Sequence, residues 1–107
     1  MATEPGQPQE ADKLARDVTL VNKHGIHVRT AALISELTER YESNIIITSP
    51  SASSDASDMM RLLLLQAGYG TELNISVTGC DAQAALGAIC SLIENGFELE
   101  DEKVSDS

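Results

Sequence analysis

Apolar and polar residues alternate most cleanly where Leu73, Ile75 and Val77 interleave with Asn74, Ser76 and Thr78. A period of two predicts a strand with one buried face. Asp17–Asn22 shows the same rhythm, with Val18 and Leu20 on one side. From Val28 to Tyr41 the period changes. Ala31, Ile34, Leu37 and Tyr41 recur at steps of three and four, while Glu36, Glu39 and Arg40 take outward positions, which predicts an amphipathic helix. The β-branched run Ile45-Ile46-Ile47 predicts a buried strand over 44–48. Residues 49–55 are serine-rich and include Pro50, which suits a turn followed by a short edge strand. Met59 to Leu65 reads as a short apolar helix whose first turn includes or follows Asp58. Asp81 is placed to cap a helix whose inner side carries Ala82, Ala85, Leu86, Ile89, Cys90 and Ile93, with Gly96 as its stop. The order is β-α-β-β-α-β-α, with the third strand the least defined. Strands with one polar face predict an α+β two-layer sandwich, its sheet largely antiparallel and its helices on one side.

Composition narrows what such a fold can do. The 107 residues suit one small domain. Residues 1–16, with Pro5, Gly6 and Pro8 and no sustained apolar period, read as a flexible leader. The domain is expected over 17–97, and 98–107 form an acidic tail that favours solubility. The net charge is −10, so the chain has no broad basic face for phosphate backbones, and nucleic-acid binding is not expected. The apolar cluster of Met59, Met60 and Leu62–Leu65 is broken by Arg61 and falls far short of the ~20 residues of a membrane span. No basic start followed by an apolar stretch marks a secretory signal, so a cytoplasmic location is expected. The two cysteines, Cys80 and Cys90, then read as reduced thiols.

Most of the chain only builds a core. The exception is Lys23-His24-Gly25-Ile26-His27-Val28-Arg29-Thr30-Ala31-Ala32, at the junction of the first strand and first helix. Gly25 permits a backbone geometry that other residues resist. His27 falls at the helix start, and the amides of Val28, Arg29 and Thr30 have no carbonyl partner within the helix. Such amides and the helix dipole favour an anion there. Arg29 adds a guanidinium fork matched to phosphate oxygens. An imidazole ordinarily titrates near pH 6.5, so it is a competent nucleophile at neutral pH. A phosphoramidate formed on it would be held by backbone donors and Arg29, yet only modestly, as a relay requires. The plainer alternative is that His27 is an N-cap or loop residue. His24-Gly25-Ile26-His27 does not complete a metal site.

Gly25-Ile26-His27-Val28-Arg29 resembles the active-site signature of HPr, the histidine phosphocarrier of bacterial phosphotransferase systems. Further matches are Asn22-Lys23, Ala31-Ala32, Met59-Met60-Arg61-Leu62, Gly70-Thr71 and Gly79, over residues 17–97. Asn22-Lys23 with Gly25, and Asn95-Gly96-Phe97-Glu98, are more similar to the nitrogen-related branch than to the sugar-transport branch. The resemblance implies an open-faced β-sandwich with a four-stranded sheet and three helices. It implies that His27, through Nδ1, accepts a phosphoryl group derived from phosphoenolpyruvate from enzyme I and passes it to an enzyme IIA-type protein, with Arg29 contacting the group. No bound cofactor or metal is implied, and transient docking is most simply done by a monomer.

Two positions depart from the family pattern. Thr30 stands where the family usually has proline, and its hydroxyl is expected to be able to reach phosphate. Asp58 stands at the serine that many relatives use for regulation by phosphorylation. Its plain reading is helix capping, worth about 0.5–2 kcal/mol. Its sharper reading is a standing imitation of phosphoserine, although a carboxylate carries less charge than the about −1.5 to −2 of that group. The docking surface is expected on the tips of the first two helices, with Ile26, Met59, Met60 and Leu63 as apolar contacts and Arg61 beside them, and with Leu62 and Leu65 in the core. Glu36 and Glu39 lie where bases would be expected, leaving Lys23, Arg29 and Arg61 as local cations and predicting weak steering toward an acidic partner. The alternative to a carrier is a regulatory docking module that keeps the fold and binds regulatory proteins without phosphoryl turnover. A redox or metal protein using Cys80, Cys90, His24 and His27 is the poorest reading, because no Cys-x-x-Cys spacing exists.

Overall fold

A computed structural model of the chain describes residues 12–97. The elements are β1 (Asp12–Thr19), α1 (Val28–Thr38), β2 (Asn44–Thr48), β3 (Ser53–Asp55), α2 (Met59–Leu64), β4 (Glu72–Gly79) and α3 (Ala82–Glu94). The strands form one sheet in the order β1-β4-β2-β3, and every neighbouring pair is antiparallel. This is the predicted α+β order, third strand included.

The central strands settle the register. Ile45 faces Val77 and Ile47 faces Ile75, so a period of two in each strand sends all four to the same side. All four are buried there with Val18 and Leu73. Against them pack Ala31 and Ile34 of α1, Leu62 of α2, and Ala82, Ala85, Ile89, Cys90 and Ile93 of α3. Each large side chain so buried is worth about 1.5–3 kcal/mol. Leu62 and Leu65 belong to this core, as their spacing predicts. Leu86 is only partly buried at its margin.

Three boundaries differ from the sequence reading. β1 begins at Asp12, so residues 12–16 belong to the sheet and not to a flexible leader; residues 1–11 and 98–107 lie outside the described residues. Arg16 conceals the early start. It occupies the alternation with Leu14 and Val18, where an apolar residue would be expected, and its guanidinium reaches Glu94 of α3 at 3.2 Å. β1 also stops at Thr19, three residues before Asn22, although the Leu20 amide still donates to Thr71 O and the Gly70 amide to Leu20 O. α1 ends at Thr38, and the amides of Glu39, Arg40 and Tyr41 turn back to carbonyls three residues earlier. Tyr41 keeps its place against the core from this tighter turn, not from the helix.

The antiparallel pairing gives the sheet two distinct ends. At one, Thr19 lies opposite Glu72, and the β1–α1 loop meets the segment after α2. At the other, Asp12 lies opposite Gly79, and Cys80 follows at once. Eight strand residues, or about 25 Å, separate the two.

Candidate functional site

The β1–α1 loop is built around Gly25. Its φ is +63°, in the left-handed region, and a Cβ placed on it would overlap the Ala67 carbonyl oxygen and the Gly68 Cα. The next amide, that of Ile26, donates to the same Ala67 oxygen at 2.9 Å. The loop is therefore laid directly on the backbone that follows α2. Ala67 and Gly68 were not visible as site residues in the sequence, because only their backbone atoms take part. Ile26 is 8% exposed and belongs to the core cluster. It anchors the loop, and its burial leaves little of its side chain for the docking contact expected of it.

His27 is the N-cap of α1, with extended backbone and a half-buried side chain. Its carbonyl accepts the first helical bond from Ala31 at 2.7 Å. Val28, Arg29 and Thr30 then occupy the first turn, where amide protons project beyond the helix end. Val28 and Arg29 are exposed beside the imidazole's position in the chain. His24 is exposed, and its ring meets that of His27 edge to face with centroids 5.9 Å apart. Among the described residues no three His, Cys, Asp or Glu side chains converge as metal ligands.

Thr30 differs from expectation. It is 2% exposed, and its hydroxyl faces inward, accepting from the His27 amide at 2.9 Å and lying 3.0 Å from Gly25 O. That hydroxyl is committed to the loop and does not reach toward a phosphate. Asn22 Nδ2 donates to the same Gly25 oxygen at 2.8 Å, while Asn22 Oδ1 is buried with no donor among the described residues.

Asp58 caps α2. One carboxylate oxygen accepts from the Arg61 amide at 3.1 Å. Nearby, Ser57 donates both its amide and its hydroxyl to Asp55. Of the anticipated docking residues, Met60 is 68% exposed and Arg61 is exposed, whereas Met59 and Leu63 are partly buried against the core. Leu64, at 69%, and Tyr69, at 71%, are exposed as well. Leu64 lies four residues after Met60, hence on the same side of α2, a spacing that was available in the sequence. Tyr69 stands between Gly68 and Gly70 in a turn closed by the Thr71 amide on Gly68 O at 3.1 Å.

At the far end of the sheet, Asp81 precedes α3 but makes no cap hydrogen bond to it. Its carboxylate instead accepts from the Ser43 hydroxyl and from the Glu42 amide, the latter at 2.9 Å. Those donors, the Ser43 hydroxyl foremost, hold its carboxyl below the usual carboxylate range. Cys90 is buried on α3, and that burial pushes its thiol up, away from reactive thiolate. Cys80 is exposed, but at the end of the sheet opposite His27.

Comparison with known proteins adds to this geometry. The family model described as the PTS HPr component phosphorylation site matches residues 14–95. Phosphocarrier protein NPr of Shewanella violacea is 36% identical over 86 residues, which cover 80% of this chain and 94% of that protein. Phosphocarrier protein HPr of Treponema pallidum is 37% identical over 87 residues, covering 81% and 99%. Among solved structures, HPr of Bacillus anthracis superposes with a TM-score of 0.73 at 27% identity, over 76% of this chain and 96% of that one.

Proposed function

The chain belongs to the HPr family, and from that premise we propose that it is a phosphocarrier whose acceptor atom is Nδ1 of His27. The observation that carries this reading is the placement of His27 as N-cap of α1, directly before the first-turn amides of Val28, Arg29 and Thr30. The donor is the phosphohistidine of an enzyme I charged from phosphoenolpyruvate. The Nδ1 lone pair of His27 attacks phosphorus, the donor's N–P bond breaks with its electron pair returning to the donor imidazole, and a new N–P bond forms. The proton on Nε2 of His27 stays in place.

The transferred group brings negative charge to the positive end of α1, where the dipole and its amides stabilise it by about 0.3–1 kcal/mol. Arg29 adds charge-assisted contact to its oxygens. This stabilisation is small enough that the same group can leave to a histidine of an enzyme IIA-type acceptor. Partners dock on the exposed apolar residues near the loop, Met60 with Leu64 and Tyr69, and methionine adapts to more than one partner shape. A carrier serving such partners works in the cytoplasm. Relatives carry both the HPr and the NPr name at nearly equal identity, so either sugar uptake or phosphotransferase-based regulation is compatible with the site.

The test is direct. The full chain is mixed with radiolabelled phosphoenolpyruvate and its cognate enzyme I. One acid-labile, base-stable phosphoryl group per chain is expected, absent from His27→Ala. An enzyme I that labels itself but never this chain would overturn the carrier reading in favour of a module that acts by docking alone.

A further inference from the structure

The segment between β1 and α1 has no regular structure, so its shape depends on how its polar groups pair. Two donors, Asn22 Nδ2 at 2.8 Å and Thr30 Oγ1 at 3.0 Å, converge on the Gly25 carbonyl and fill its two lone-pair directions. The His27 carbonyl already holds the Ala31 amide at 2.7 Å, and Thr30 Oγ1 lies farther from it, at 3.3 Å. A hydroxyl has one proton, so Thr30 gives it to Gly25 O. Its lone pair remains for the His27 amide, at 2.9 Å. One buried oxygen thus ties the first turn of α1 to both ends of Gly25–His27. Water has no access to replace it, because Thr30 is 2% exposed. The His27 amide is consumed inside the loop, which leaves the first-turn amides after it to meet the His27 side chain and an anion.

We infer that the Thr30 hydroxyl is a positioning group for His27: it holds the imidazole in register with the first-turn amides and thereby sets how fast His27 accepts a phosphoryl group. The inference rests on the phosphocarrier reading for its kinetic consequence, but not for its structural one. The Thr30 hydroxyl itself is turned into the loop, away from the phosphoryl group and any partner. Without its hydroxyl the Gly25–His27 segment rotates more freely, and the ring spends less time in the reactive pose. A displacement on the order of 1 Å in a reacting group can slow a reaction about a hundredfold.

The experiment compares wild type with Thr30→Val, which keeps the side-chain shape and removes the hydroxyl, and with Thr30→Ser, which keeps the hydroxyl. Rates of phosphoryl transfer from phosphorylated enzyme I are measured with hydrogen exchange of the His27 amide. Thr30→Val should lower the saturating rate about tenfold or more with KM unchanged, since the docking residues are intact. Its His27 amide should exchange about tenfold faster, while β4 amides keep their protection. Thr30→Ser should restore both to within about threefold of wild type. Wild-type rates in Thr30→Val, or equal loss in the serine variant, would overturn the inference. If valine unfolds the chain, seen in β4 exchange, Thr30→Ala takes its place in the same comparison. If wild type accepts no label, the carrier reading fails on its own. The amide data then decide: faster His27 exchange without the hydroxyl upholds its role, and equal exchange refutes it.

Discussion

Gly25 meets two demands that conflict in any other residue: a left-handed backbone and direct contact with the chain after α2. Alanine there meets the left-handed penalty and pushes against backbone that cannot rotate away. Gly25→Ala is expected to destabilise the fold by about 2–4 kcal/mol, read as a lower urea midpoint at unchanged slope. The folded fraction should also label poorly at His27, because the loop lifts from Ala67. His27 and Arg29 were legible as residues, since a histidine and arginine at a helix start announce anion chemistry. Thr30 was legible only as an oddity. Whether a threonine hydroxyl points to solvent or inward depends on which carbonyl lies beneath it, and Gly25 O came there by folding.

Among the elements, α2 depends most on its ends. With six residues it is too short to persist on its own, so packing of Leu62 and the Asp58 cap sustain it. Asp58→Ala should cost about 1 kcal/mol, and Asp58→Asn should recover most of it, because an amide oxygen can also accept from the Arg61 amide. A denaturant series on the three proteins checks this. If the carboxylate imitates phosphoserine in addition, Asp58→Ser will alter partner affinities by more than the stability change accounts for; with capping alone, affinities stay level. The elements themselves were nearly all readable, because each buries one face and so carries its own period. β1 starts earlier than its apolar period shows, for a local reason. Arg16 sits in an apolar slot and escapes along its own aliphatic stem to Glu94, 78 positions away, a partner that periodicity cannot see.

For the molecule as a whole, the end away from His27 is held by Asp81, which joins the start of α3 to the α1–β2 turn through Glu42 and Ser43. Its carboxyl is held below the usual range in the folded state, so its stabilising contribution is present above about pH 4 and is lost as pH falls through the lower folded value. Stability curves of wild type and Asp81→Ala should therefore differ at neutral pH and converge in acid. Curves that stay parallel down to the acid limit would mean that ionisation of Asp81 plays no part. The apolar spacing and the helix-start chemistry were contained in the sequence alone, because burial on one face imposes a repeat and an exposed helix end has unpaired amides wherever it occurs. Three-dimensional contact decided the rest: that Ile26 goes inside, that the Thr30 hydroxyl serves the loop, that Asp81 binds a neighbouring turn instead of its own helix. Each of these depends on which distant backbone groups arrive alongside, and a linear pattern holds no record of that.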